Sequence, residues 1–240
     1  MKPLRFLRTR LAQRRQAQRR AAHYDDFADF TMIPRATYLD NLLLAERVAH
    51  LAGCVVECGV WRGGMSAGLA RVLGPKRTYF LFDSFEGLPP AKEIDGEAAV
   101  RWQQDTTSPM FHDNCTARAD FAARAMKLAG VDSPHLIKGW FDQTLPSFTP
   151  PEPICLLRLD GDWYESTMVC LEALFDYVVP GGLVVLDDYY AWDGCSRALH
   201  DFLSRRSATE RICSFNGICH LVKAPPDLRK ENGSPSAGGE

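Results

Sequence analysis

Three apolar runs in this chain end in carboxylates: Val55-Val56-Glu57-Cys58-Gly59, Leu156-Leu157-Arg158-Leu159-Asp160-Gly161-Asp162 and Leu183-Val184-Val185-Leu186-Asp187-Asp188. In an open parallel sheet the carboxyl ends of the strands open onto the ligand crevice, so acids placed there face one common site. Asp160, Asp187 and Asp188 are hard oxygen donors of the kind Mg²⁺ prefers, and a divalent ion makes a neighbouring hydroxyl acidic enough to attack at neutral pH. Several like carboxylates in one crevice also raise each other's electrostatic self-energy, which a cation or a shared proton relieves. Capping of a following helix is the competing role; it suits Asp162 or Glu165 and does not account for all of these acids.

Two further motifs point to a nucleoside. In Glu57-Cys58-Gly59-Val60-Trp61-Arg62-Gly63-Gly64-Met65-Ser66 a strand ends in an acid, a glycine turn follows and a helix opens, which lets backbone approach a ligand without Cβ collisions. Gly59 and Gly63 are spaced differently from the dinucleotide fingerprint, and Arg62 is suited to pair a carboxylate. Asp83, in Asp83-Ser84-Phe85-Glu86-Gly87-Leu88-Pro89, follows the second strand and is placed to accept hydrogen bonds from both ribose hydroxyls. Together they indicate an adenosine ligand. Asp193, Trp163, Tyr164, Tyr189 and Trp192 either line a substrate pocket or simply pack.

The elements that position these residues follow from periodicity. Loop 31–35 leads into a helix over 36–52 that Gly53 stops; strands are read at 55–57, 79–83, 135–138, 154–160 and 183–188, with helices near 66–73, 116–129 and 166–178. Such alternation implies right-handed βαβ units and a mostly parallel sheet. After a helix at 197–205, segments 211–215 and 218–222 flank Asn216-Gly217, a strong hairpin signal. An antiparallel C-terminal hairpin added to five parallel strands is the α/β, Rossmann-like, seven-stranded pattern of class I methyltransferases. The long stretch 89–115 has weak periodicity and reads as a substrate lid or a surface insertion. The chain divides into a basic, helical N-terminal extension (1–30), the methyltransferase-like domain (31–224) and a disordered tail (225–240).

A chain of 240 residues with 46% apolar content suits one α/β domain. Residues 1–20 hold eight basic side chains and no acid, whereas the whole chain carries a formal net charge of −2, so the body is acidic and the head basic. That head has basic amphipathic character, but it lacks the apolar stretch of a secretory signal, and a solvated arm is favoured over a transit peptide or a membrane or nucleic-acid contact. No run is long and apolar enough to span a bilayer. The eight cysteines contain no Cys-x-x-Cys pair, Cys213, Cys219 and His220 match no common zinc spacing, and a reducing cytoplasmic setting is expected.

The strings 56–64 and 83–89, Lys138-Gly139-Trp140-Phe141-Asp142-Gln143-Thr144-Leu145-Pro146, 157–167 and 180–189 resemble the macrocin O-methyltransferase family over roughly residues 31–222. The resemblance implies an S-adenosylmethionine- and Mg²⁺-dependent enzyme that methylates sugar hydroxyls on bacterial natural products. It implies a metal held by Asp160, Asp187 and Asp188, and a cofactor held by Glu57, Gly59, Val60, Trp61, Arg62, Gly63, Asp83, Ser84, Gly139, Trp140, Phe141 and Asp160. Asp162 falls where a general base belongs, with Asp160 beside it in the catalytic pair. The expected partner is a small glycoside acceptor, with no nucleic acid and with self-association open. A catechol or other vicinal diol as acceptor, or a cofactor-binding module without turnover, are the alternatives. The stretch 110–116 and the hairpin 215–220 depart from the antibiotic-sugar members, which leaves the acceptor open.

Overall fold

The computed structural model describes residue 18 and residues 20–225; most of the basic head, and the tail beyond residue 225, lie outside the described residues. Seven strands form one sheet: β1 (Cys54–Cys58), β2 (Tyr79–Asp83), β3 (His135–Lys138), β4 (Ile154–Leu159), β5 (Val178–Leu186), β6 (Cys213–Phe215) and β7 (Ile218–Val222). Their order is β3-β2-β1-β4-β5-β7-β6. The first five pair in parallel, β7 runs antiparallel to β5, and β6 antiparallel to β7. The chain therefore winds outward in opposite directions from β1 and β4, and the crevice between their carboxyl ends is where such sheets take ligands.

From residue 35 on, seven helices flank the sheet: α1 (Arg35–Ala45), α2 (Gly64–Leu73), α3 (Glu97–Gln104), α4 (Ala119–Ala129), α5 (Phe141–Thr144), α6 (Tyr164–Leu174) and α7 (Asp193–Arg205). Strand alternation sends Val55, Leu81 and Val185 to one side, against Tyr38 and Leu42 of α1, Leu69 of α2 and Met126 of α4. Val56, Phe82 and Val184 face the other side, against Leu171 of α6 and Leu199 and Phe202 of α7. Covered on both faces, the central strands read as continuous apolar runs, which is why the few charges within them stand out. The hairpin turn has φ of 50° at Asn216 and 84° at Gly217, the left-handed pair that a tight two-residue turn requires.

Several boundaries differ from the periodicity. The first helix stops at Ala45 and continues only as a short 3₁₀ turn, Glu46–Val48. β5 begins at Val178, inside the stretch expected to be helical; its register then jumps from Val178 opposite Ile154 to Leu183 opposite Leu156, absorbing Pro180, Gly181 and Gly182 in an irregular edge. α7 starts four residues before the expected position 197. The 89–115 stretch carries α3, a helix too short for a clear pattern, with Ala99 alone fully buried.

The N-terminal boundary expected at residue 30 cuts through packed structure. Residues 20–27 are helical, Phe27 and Phe30 are buried in the core, Arg20 pairs with Glu46 at 2.9 Å, and Tyr24 meets Tyr38 edge-on with ring centroids 5.3 Å apart. Among the described residues no helix is long and apolar enough to cross a membrane. Because Phe27 is fully buried, Phe27→Ala is expected to lower the unfolding free energy by about 3–5 kcal/mol, measured by chemical denaturation. A loss below about 1 kcal/mol would show that this segment is not part of the core.

Candidate active site

β1 and β4 pair with Glu57 opposite Arg158, so a carboxylate and a guanidinium meet inside an otherwise apolar layer. The Arg158 side chain is 1% exposed; its Nη1 lies 2.7 Å from Glu57 Oε1 and 2.8 Å from Asp160 Oδ2, and its Nη2 lies 2.6 Å from Asp187 Oδ1. Burial works against the arginine charge, but Asp187, Asp160 and Glu57 outweigh it and hold its pKa well above the ordinary value. Burial pushes Glu57 up to about 7 despite the pull of Arg158. The Ser66 hydroxyl, in the first turn of α2, donates to the other Glu57 oxygen, and Asn41 of α1 lies near enough to Asp187 to favour its charged form. The start of α2 is thereby tied to the hub.

Beyond the hub, one carboxylate oxygen from each of Asp160, Asp187 and Asp188 lies within 4.8 Å of the others. Burial, reinforced by Asp162, Asp160 and Asp187, raises the Asp188 pKa well above the usual range. Burial likewise raises Asp187, against the pull of Arg158. The chain then turns sharply through Asp162, whose φ is 57°. The Asp162 N–H donates to Asp188 Oδ2 at 3.1 Å, and the Trp192 indole N–H donates to Asp162 Oδ1 at 3.0 Å. Burial and the neighbouring Asp160 push Asp162 up to about 8.

The glycine turn sits against this cluster. Gly59 has a φ of 88°, and a Cβ there would lie 1.7 Å from the Asp160 carbonyl oxygen, so no larger residue lets the turn close on β4. Asp83 Oδ2 accepts the Val60 and Trp61 N–H groups at 2.7 and 2.8 Å, and Oδ1 accepts that of Phe85 at 2.6 Å. Burial raises Asp83, and these three donors counter the rise. Gly139 donates its N–H to the Asp83 carbonyl, which brings the β3 end alongside.

A cavity of about 750 Å³ opens over this surface and is lined by Glu57, Gly59, Val60, Trp61, Asp83, Ser84, Gly139, Trp140, Phe141, Asp160, Asp162, Asp187 and Asp188. Two of the expected cofactor residues lie apart from it. The Arg62 guanidinium turns away to lie over the Trp61 and Phe121 rings, at 4.4 and 5.0 Å, beside a second depression. Gly63 packs on Ala122, where a Cβ would come within 2.7 Å of the backbone. The Ser84 hydroxyl is engaged in its own turn, donating to the Gly87 carbonyl.

Sequence reasoning missed Arg158, hidden in an apolar run, and the wall formed by Phe30, Thr31, Ile33, Pro34 and Thr37. The only signal for that wall was the ordered-looking loop before α1. Of the aromatics, Tyr164 lines the cavity, whereas Tyr189 bonds His200. Trp163 and Trp192 stack edge-on at 5.4 Å and meet Trp102 of the 89–115 segment at 6.2 and 5.9 Å. That segment is pinned over the acidic corner by the Trp163 indole donating to the Pro89 carbonyl and by the Tyr164 N–H donating to Asp95 Oδ1.

The sequence pattern of the family described as Macrocin-O-methyltransferase (TylF) matches residues 5–223. The 8-demethyl-8-(2,3-dimethoxy-alpha-L-rhamnosyl)-tetracenomycin-C 4'-O-methyltransferase of Streptomyces olivaceus is 35% identical over 193 residues, covering 75% of this chain and 70% of the relative. The mycinamicin III 3''-O-methyltransferase of Micromonospora griseorubida is 30% identical, covering 68% and 65%. Among solved structures, the O-methyltransferase NovP superposes with a TM-score of 0.68 at 25% identity, covering 82% of this chain and 83% of its own.

Asp83→Ala removes three charge-assisted backbone bonds that shape the glycine turn, so binding of S-adenosylhomocysteine is expected to weaken by about 2–3 kcal/mol in calorimetry. Unchanged affinity would show that the turn keeps its shape without Asp83 and that the ribose does not use it.

Proposed function

Because the chain belongs to the macrocin O-methyltransferase family, and is thus an S-adenosylmethionine-dependent O-methyltransferase, we propose that it methylates a hydroxyl of a sugar carried by a small natural product. In this reading Mg²⁺ is held by Asp160, Asp187 and Asp188. The observation that carries it is the convergence of these three carboxylates within 4.8 Å, in the same cavity as the Gly59 turn and Asp83. The tetracenomycin relative is named for a rhamnosyl acceptor, which supports a sugar hydroxyl as the nucleophile.

The residues present fit both groups. A cavity of about 750 Å³ falls within the range of roughly 300–1,000 Å³ usual for small-molecule sites. Gly59 lets the turn close on β4, and both Gly59 and Asp83 line the cavity. For the metal, the donor set is three hard oxygens, and a single guanidinium shared with Glu57 cannot neutralise them all. When bound, the ion polarises an acceptor hydroxyl and the cofactor supplies a methyl group already activated by its sulfonium.

The chain's own part is alignment and proton removal. Asp162 lies beside Asp160, Asp187 and Asp188 in the same cavity, where it is placed to take the proton of an acceptor hydroxyl. Trp192 fixes its Oδ1, which leaves Oδ2 to receive the hydroxyl proton. The Trp102, Trp163 and Trp192 cluster packs behind this corner and holds Trp192 in place to fix the Asp162 carboxylate. Acceptor and methyl donor are held in one cavity, so much of the rate enhancement comes from orientation.

Asp162→Asn is expected to lower kcat by about 10²–10⁴ while leaving the affinity for S-adenosylhomocysteine unchanged, since the residue serves the acceptor side. A variant with near-normal kcat would remove Asp162 from the base role. Turnover on rhamnosyl glycosides should disappear in excess chelator and return with Mg²⁺. Full activity of metal-free protein under those conditions would overturn the metal assignment.

A further inference from the structure

Arg158 takes one oxygen from each of two aspartates assigned above to the metal. Its Nη1 lies on Asp160 Oδ2 and its Nη2 on Asp187 Oδ1, while Nη1 also meets Glu57 Oε1. The guanidinium is not free to swing aside. Its side chain is 1% exposed, its Nη1 is also held by Glu57, and Glu57 is itself held by the Ser66 hydroxyl. Asn41, near Asp187, is itself fixed by its amide donating to the Thr37 carbonyl at 3.0 Å.

We propose that Arg158 is a positioning residue that sets the cation selectivity of the site: by occupying one oxygen of Asp160 and one of Asp187, it limits each aspartate to a single ligand oxygen. The inference rests on the Mg²⁺ reading above. Ca²⁺ gathers six to eight oxygens at about 2.3–2.6 Å and completes its shell with bidentate carboxylates, whereas Mg²⁺ accepts about six at 2.0–2.1 Å and keeps several waters. A site whose aspartates can each offer one oxygen suits the smaller ion. It also leaves coordination positions for acceptor hydroxyls, which a shell filled by bidentate aspartates would not. The third member, Asp188, lies outside the guanidinium's reach and is held instead by the Asp162 N–H on its Oδ2. All three aspartates thus have one oxygen committed to the protein, by an arginine in two cases and a backbone amide in the third.

A lysine at this position is a point charge and cannot span three carboxylates as a planar fork does. Calorimetry on the full chain, titrated with Mg²⁺ and with Ca²⁺ at matched ionic strength, provides the test. Wild-type protein should bind Mg²⁺ at least about tenfold more tightly than Ca²⁺, and Arg158→Lys should erode that ratio by about tenfold. The pair Glu57→Gln with Arg158→Met removes the buried charge together with its one partner outside the proposed metal set, frees the Asp160 and Asp187 oxygens, and should erode the ratio in the same way. It serves if Arg158→Lys fails to fold, as judged by circular dichroism and melting. A purely structural arginine would, when replaced, weaken both ions together and leave their ratio intact, so a folded variant with a ratio within about twofold of wild type overturns the proposal. Wild-type protein that binds Ca²⁺ as well as Mg²⁺ overturns it without any variant and leaves the metal site standing. Absence of binding by either ion overturns the metal reading, and this inference with it.

Discussion

Arg158 stands in a central strand with its side chain almost wholly withdrawn from water, and a charge in that position costs several kcal/mol unless it is paired. The chain pairs it three times, with Glu57 from the neighbouring strand, Asp160 from its own and Asp187 from the strand beyond. These carboxylates would repel one another if gathered without it. Because Glu57 is also bonded to Ser66 at the start of α2, the hub fixes a helix as well as three strand ends. Breaking a buried pair by removing one partner costs on the order of 3–5 kcal/mol, which makes the hub a condition of the local fold as well as of the site.

This arrangement explains what the sequence could and could not disclose. Acids at strand ends are visible because they interrupt apolar runs and fall where a parallel sheet opens, and Asn216-Gly217 announces its hairpin through backbone geometry alone. Arg158 is different. One polar residue between Leu157 and Leu159 carries no periodic signature, and its meaning depends on Glu57 and Arg158, 101 residues apart, lying on adjacent strands. The same holds for the cavity wall at Phe30 to Thr37, which only tertiary packing brings over the glycine turn. α3 escaped because a helix of eight residues with a single fully buried side chain has no face long enough to read.

The 89–115 segment is held under tension. Four successive residues, His112, Asp113, Asn114 and Cys115, all have φ near 50–60°, a left-handed turn without glycine that costs roughly 1–2 kcal/mol per residue. Asn114 holds it: its amide donates to the Leu88 carbonyl, its side-chain oxygen accepts from Gln103, and its own carbonyl accepts the Leu88 N–H. The far side of the segment is anchored by Trp102 against Trp163 and Trp192. Strained backbone next to a cavity is retained where surrounding bonds over-determine it, and here those bonds join both ends of the segment to the body of the domain.

Asp83 shows how the two halves of the site depend on each other. An acid at the end of the second strand suits a ribose, yet both of its oxygens already accept backbone N–H groups, two of them from the glycine turn. Its charge therefore shapes the turn before it meets any ligand. The turn in turn rests on β4, since Gly59 approaches the Asp160 backbone more closely than a Cβ would allow. A shift of Asp160 toward a cation would be felt at Gly59, and a shift of the turn would be felt by Asp83. The acidic cluster and the glycine turn are thus two sides of one backbone contact, with Arg158 behind it fixing where Asp160 can go.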